Sequence, residues 1–233
     1  LLVHPRGLRH MVDPGKLEAG SRAVYGDEIY EALYGTLVPV PESRAQAMQD
    51  DETASLGNRT LRFIDTPGHA MHHFCVHDSQ TNGWFTGDTF GLSYREFDTE
   101  NGAFMIPTTT PVQFDPVALQ ASILRLMEVK PDYMYLTHFG RIDNVGPLAK
   151  KILEAVAALA AIGERFEDDS ARTHKIEAAI RDWLLAGLRD HGVSMVDEEI
   201  LQLLEADIRL NTAGIECWLD YRKRQAAQRQ GSA

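Results

Sequence analysis

The sequence predicts a layered α/β fold followed by an all-helical C-terminal extension, and three observations carry that expectation. Residues 54–86 alternate short apolar runs with polar turns, the pattern of neighbouring strands. An amphipathic helix over 115–129 then leads into a strand at 133–136, so the order is β-rich, helix, strand, as in layered α/β folds. Beyond Pro147 the chain becomes Ala-rich and helical almost to its end. The expected division is a body over residues 1–145 and a helical extension over 146–233. A chain of 233 residues is long enough to bury about 70% of its unfolded surface.

Each element has its own warrant. Leu1 to Gly7 reads as the end of a buried strand running into a turn, and a chain that opens inside a strand implies material upstream of it. Lys16 to Gly20 is short and helix-compatible, and Asp27 to Tyr34 sets Ile29 with Leu33 and Tyr30 with Tyr34 at helical spacing. Residues 44–49 are expected as a strand, and Asp50-Asp51-Glu52 as a solvated turn. Gly57-Asn58 is a hairpin signal between Ala54-Ser55-Leu56 and the run Thr60 to Ile64. His73 to His77 and Trp84 to Thr86 read as strands either side of a turn. Residues 92–114 lack a period, and Ile106 to Pro111 cannot be helix interior. A loop this long in a compact domain is often functional.

Asp115-Pro116 offers an N-cap followed by Pro at N1, which opens a helix that Pro131 stops. Tyr133 to Leu136 is then a strand ending at Thr137-His138. Helices are expected over Leu148 to Phe166, over Thr173 to His191 with Gly192 closing it, and from Ser194 or Asp197 to about Gln228, with a break at Asn211 to Gly214. The stripe Ile176, Ile180, Trp183, Leu184 and Leu188 suits packing on the body or on another subunit, so a homo-oligomer through these helices is an open expectation.

Composition excludes several classes. A formal charge of -11 and a pI near 5.2 leave no basic stripe for a nucleic-acid partner. The basic cluster at Arg222, Lys223, Arg224 and Arg229 suits the last turn of a helix, where cations complement the dipole. Cys75 and Cys217 lie far apart without a Cys-x-x-Cys spacing, which fits a reducing cytoplasm. No apolar run reaches the roughly 20 residues that span a bilayer, so no membrane partner is expected.

Three segments place a candidate metal ligand just beyond a short apolar run. They are Asp65-Thr66-Pro67-Gly68-His69, Thr86-Gly87-Asp88-Thr89, and Leu136-Thr137-His138. Imidazole and carboxylate are the ligand types of zinc and iron sites. Taken singly, each also reads as an ordinary turn or surface residue. Together they all follow β-runs, and strand-end loops gather residues that are distant in sequence.

The ordered set Thr66-Pro67-Gly68-His69 with His72-His73, then Phe85-Thr86-Gly87-Asp88-Thr89-Phe90-Gly91, then Tyr135-Leu136-Thr137-His138-Phe139-Gly140, resembles the second half of a metallo-β-lactamase-fold hydrolase, including its glyoxalase II-like branch. The opening Val3 to Leu17 and the tail segment Asp207-Ile208-Arg209-Leu210-Asn211 resemble segments of the same relatives. The resemblance implies an αββα sandwich, here without its N-terminal part, and a site for two divalent metal ions, zinc foremost, with iron or manganese as alternatives. It implies that His69 binds the first metal, that Asp88 bridges both, and that His138 completes the second. His73 is implied as an outer-sphere or substrate-facing residue, and Tyr94, Arg95 and the run Thr108-Thr109-Thr110 as a substrate wall.

The family's upstream His-x-His-x-Asp-His cluster has no counterpart in this chain, and neither His4 nor His10 has the spacing to replace it. With three ligands divided between two ions, the expectation is weak metal binding and impaired activity from this chain alone. The implied chemistry is metal-assisted hydrolysis of an ester, thioester or lactone-type small molecule. Two alternatives stay open: a di-iron, oxygen-reducing oxidoreductase on the same scaffold, and a non-catalytic remnant of the fold.

Overall fold

Local chain chemistry explains most of the element boundaries in the computed structural model, which describes residues 1–109 and 113–231. Strand β1 (Leu2–Val3) leads straight into helix α1 (Pro5–Val12), where the sequence suggested a turn. The His4 Nδ1 accepts the Arg6 N–H at 3.1 Å, and Pro5 occupies the first helical position, whose N–H no helix needs. β1 is not buried: Leu2 is exposed and Val3 only half-buried. Helices α2 (Gly15–Tyr25) and α3 (Asp27–Leu33) follow, divided by Gly26 at φ 81°. The strand expected over 44–49 shortens to β2 (Gln46–Ala47), which pairs in parallel with β1.

The remaining strands form one sheet in sequence order: β3 (Thr53–Leu56), β4 (Arg59–Asp65), β5 (Phe74–Asp78), β6 (Gly83–Gly87), β7 (Tyr133–Leu136) and β8 (Gly140–Ile142). The expected hairpin at Gly57-Asn58 joins β3 to β4. All pairings are antiparallel except β6 with β7, which run parallel in a register that sets Gly87 opposite Leu136. A parallel pair needs a crossover, and helix α4 (Pro116–Met127) supplies it. Asp115 caps α4 by accepting the N–H groups of Val117 and Ala118 at 2.9 and 3.0 Å.

The two faces of the sheet differ. Ile64, Cys75, Trp84 and Met134 point into the core beneath Leu119, Ile123 and Leu126 of α4. The Trp84 indole N–H donates to the Leu126 carbonyl at 3.0 Å, so the one polar atom of that buried ring is satisfied. On the other face Phe85 stacks on Tyr135 at 4.8 Å and remains 49% exposed.

The tail adds α5 (Val145–Arg165), α6 (Arg172–Asp190) and α7 (Asp197–Gly231). Their apolar stripes join the same buried cluster as the sheet, through Ile152, Val156, Ile176, Leu184, Leu204 and Ile215. α7 runs unbroken through Asn211 to Gly214. Asn211 turns its side chain outward to Thr109 and Pro107 instead of competing for its own backbone, and a Cβ at position 214 would sit 2.2 Å from the Thr109 carbonyl oxygen. The basic end of α7 is paired within the chain: Arg222 with Glu164, and Lys223 with Asp168 at 2.8 Å. Among the described residues, no helix is long and apolar enough to cross a membrane.

Candidate metal centre

The sheet topology gathers the three candidate ligands. β4, β6 and β7 run in one direction, because antiparallel β5 lies between the first two and the last two pair in parallel. Their C-terminal ends therefore share one sheet edge, the position at which α/β folds place ligands. His69 lies four residues beyond β4, Asp88 one beyond β6, and His138 two beyond β7.

Asp88 sits at the centre. Its Oδ2 lies 3.4 Å from His69 Nε2 and its Oδ1 lies 3.6 Å from His138 Nε2. Oδ1 is buried yet accepts no hydrogen bond among the described residues. A buried carboxylate oxygen without a donor is costly, and a cation is one group that would satisfy it. His69 Nδ1 contacts the Thr108 carbonyl at 3.2 Å, which assigns the ring proton to Nδ1 and leaves a lone pair on Nε2, facing Asp88. Among the described residues no three His, Cys, Asp or Glu side chains close around one point. The arrangement is instead two imidazole–carboxylate pairs that share Asp88.

Beneath Asp88 lies a buried polar layer. His73 Nε2 accepts the Asp88 backbone N–H at 3.2 Å, and its Nδ1 contacts Thr66 Oγ1 and Thr89 Oγ1 at 2.9 and 3.0 Å. Burial, reinforced by repulsion from His69 and His72, pushes the His73 ring down to about 3, so it stays neutral. His73 thus holds the Asp88 backbone and faces inward, while His72, in the turn before β5, is exposed. Gly87, at φ 49°, is required here: a Cβ would meet His73 Nε2 at 2.2 Å. Cys75 extends the layer by donating to the Thr86 carbonyl at 3.3 Å, and burial pushes its thiol up to about 12.

The His69 loop is seated on α4. Gly68, at φ 123°, leaves no room for a side chain, since a Cβ would lie 2.1 Å from the Leu119 nitrogen. Ser122 Oγ donates to the Pro67 carbonyl at 2.7 Å and fixes the turn from the other side.

The remaining expected site residues separate. Tyr94 donates to Asp207 Oδ2 at 2.6 Å and packs against Phe139, next to His138. Burial and the Asp207 carboxylate hold its hydroxyl far above the usual tyrosine range, so it remains a donor. Arg95 bonds Ser93 Oγ at 2.9 Å and Asp98, and it lines a cavity of about 370 Å³ that none of His69, Asp88 or His138 lines. Thr108 touches both His69 and Asp88, Thr109 is buried against Asn211, and Thr110 lies outside the described residues. The sequence marked Asn211 as the end of a segment resembling the relatives and as a helix break, but not as a partner of Thr109. The 207, 211, 214 spacing of Asp, Asn and Gly on one helical face is a signal that could have shown it.

Residues 2–138 match the family model of the metallo-beta-lactamase superfamily. The chain belongs to that superfamily. A metallo-beta-lactamase fold-containing protein of Sulfurisphaera tokodaii is 34% identical over 129 residues. That stretch is 55% of this chain and 45% of the relative, so the match spans less than half of the relative's length. The crystal structure of an archaeal metallo-beta-lactamase superfamily protein from Sulfolobus tokodaii superposes with a TM-score of 0.56 at 25% identity, covering 81% of this chain and 70% of that one. A metallo-beta-lactamase family protein from Thermus thermophilus shares the fold at 16% identity and a TM-score of 0.56, covering 96% of this chain and 67% of its own. As a metallo-beta-lactamase-fold chain it has the mixed sheet flanked by helices, with a C-terminal helical region beyond the matched residues.

Proposed function

We propose that this chain carries half of the metal site of a hydrolase that cleaves an ester, thioester or lactone-type bond in a small molecule. The observation that carries this reading is the Asp88 carboxylate lying between the imidazoles of His69 and His138, with a buried Oδ1 that accepts no hydrogen bond among the described residues. His69 with Asp88 would hold one ion and His138 with Asp88 the other, each needing further ligands from elsewhere. Imidazole nitrogen and carboxylate oxygen suit zinc foremost, with iron or manganese as alternatives. When bound, such ions supply a hydroxide near neutral pH and polarise the substrate carbonyl.

The chain's own residues prepare the site. His69 presents the Nε2 lone pair because its Nδ1–H donates to the Thr108 carbonyl. Asp88 is held in place through its backbone, with His73 accepting its N–H and Thr108 Oγ1 donating to its carbonyl at 3.1 Å. His138, half-exposed, forms the open side of the site, through which a substrate would enter.

Titration of the purified chain with Zn²⁺ or Co²⁺ by calorimetry tests the reading. Two weak sites are expected, both lost in Asp88→Ala and one lost in each of His69→Ala and His138→Ala. Metal binding indifferent to Asp88→Ala would sink the proposal. Turnover of aryl ester, thioester and lactone probes at saturating metal then separates a hydrolase from a non-catalytic fold.

A further inference from the structure

The face of α7 that carries Asp207, Asn211 and Gly214 points back at the candidate metal centre, although no residue of α7 is a ligand. Positions i, i+4 and i+7 share one side of a helix, and each of the three touches a segment that supports a ligand. Asn211, 3% exposed, accepts the Thr109 N–H at 2.7 Å through Oδ1 and donates through Nδ2 to the Pro107 carbonyl at 3.1 Å. Thr109 Oγ1 donates back to the Asn211 carbonyl at 2.9 Å. Gly214 lets the two chains approach this closely. Thr108, clamped between Pro107 and Thr109, is the residue whose carbonyl and hydroxyl meet His69 Nδ1 at 3.2 and 3.0 Å and whose hydroxyl reaches the Asp88 carbonyl.

The other relay begins at Asp207. Its carboxylate receives the Tyr94 hydroxyl, and the Tyr94 ring lies 4.2 Å from that of Phe139 at 30°. Phe139 has φ 73°, a left-handed conformation that an aromatic residue holds only when its surroundings impose it. Phe139 directly follows His138 at the β7–β8 turn. The Tyr94–Phe139 ring contact therefore reaches the turn that carries His138.

We propose that Asp207 and Asn211 are positioning residues of the metal centre, Asn211 acting on His69 and Asp88 through Thr108, and Asp207 acting on His138 through Tyr94 and Phe139. This rests on reading His69, Asp88 and His138 as ligands. The helical extension is then a second wall of the site, and its role goes beyond packing.

The experiment uses the whole chain with two readouts. In metal-free protein, ¹⁵N–¹H long-range correlation reports the tautomer of His69. Co²⁺ titration followed by visible absorption reports affinity and geometry. Asn211→Ala, which loosens the segment carrying the Thr108 carbonyl, is expected to lose the uniform Nδ1–H tautomer of His69. Thr108→Val, which keeps that carbonyl and removes only the hydroxyl, is expected to shift the His69 signals without changing the tautomer. Both should weaken cobalt binding about 10–100-fold, the usual effect of removing an outer-sphere partner. Tyr94→Phe, which deletes one hydroxyl only, is expected to change the cobalt spectrum while leaving the His69 signals alone. Thr212→Val is the control: Thr212 is equally buried and, among the described residues, its hydroxyl bonds the Ile208 carbonyl of its own helix. Should Asn211→Ala fail to fold, Thr108→Val and Tyr94→Phe still decide the matter. Unchanged His69 signals and cobalt affinity in Asn211→Ala and Thr108→Val, an unchanged cobalt spectrum in Tyr94→Phe, or the same disturbance in Thr212→Val, would overturn the assignment. A His69 response to Asn211→Ala or Thr108→Val but not to Thr212→Val, in a protein that takes up no cobalt at all, supports the positioning role and removes the metal reading instead.

Discussion

Asp78 shows how one buried residue sets a pH response. Burial alone would raise its carboxyl, but the Gln80 N–H at 3.1 Å, the Thr81 hydroxyl at 3.0 Å and Arg59 together outweigh that and hold it below the usual carboxylate range. A carboxyl whose folded pKa is depressed contributes stability above its unfolded value of about 3.9, and that contribution is lost as pH falls through the folded pKa. Asp78→Asn is therefore expected to lower the urea midpoint at pH 7, with the gap to the parent closing as the pH is taken below about 3.9. An equal gap at both ends of that range would show that the charge of Asp78 is not what matters. At this scale the sequence was legible where a residue type is tied to its neighbours along the chain. His69, Asp88 and His138 stood out because each follows a strand signal. The partners of His73 were not legible, because Thr66, Asp88 and Thr89 reach it from beyond other strand ends. Arg95 meets its near neighbours Ser93 and Asp98, but no spacing signals that it turns away from the site.

The element that positions most of the site is α4. It provides the parallel crossover, and its first turns lie against Gly68 and the His69 loop. Asp115 was readable in the sequence as its cap, since Asp before Pro is a local signal, and its side chain does accept two backbone N–H groups. Asp115→Ala is expected to cost about 1 kcal/mol of stability in denaturant unfolding. A change near zero would mean that packing on the sheet, and not the cap, decides where α4 begins. α1 and α7 show the opposite case. A helix at Pro5–Val12 was hidden because His4 is a rare cap, and the continuity of α7 was hidden because Asn and Gly inside a helix usually mark an end. The first is explained by its own cap, His4 on the Arg6 N–H, and the second by partners outside the element, Thr109 and Pro107.

For the whole molecule, one buried cluster runs from Ile64 and Trp84 in the sheet to Ile215 and Leu219 in α7. With the core continuous, sheet and tail are expected to unfold together. Native-state hydrogen exchange should give the slowest amides of β6 and of the 211–219 stretch of α7 the same opening free energy. Leu184→Ala in α6 should lower both by about 2–5 kcal/mol. A drop confined to the tail would show two independently stable units.

The sequence by itself determined the strand and helix periods, the hairpin at Gly57-Asn58, the cap at Asp115, and the three motifs around His69, Asp88 and His138 that resemble the metallo-beta-lactamase superfamily, because all of these are written in residues close together along the chain. Tertiary structure alone decided that Asp88 lies between two imidazoles, that His73 supports it from below, and that α7 reaches back to Thr109 and Tyr94. Those contacts join residues up to 113 positions apart. Their geometry depends on strand direction, register and the close approach that Gly87 and Gly214 permit, none of which leaves a period in the sequence.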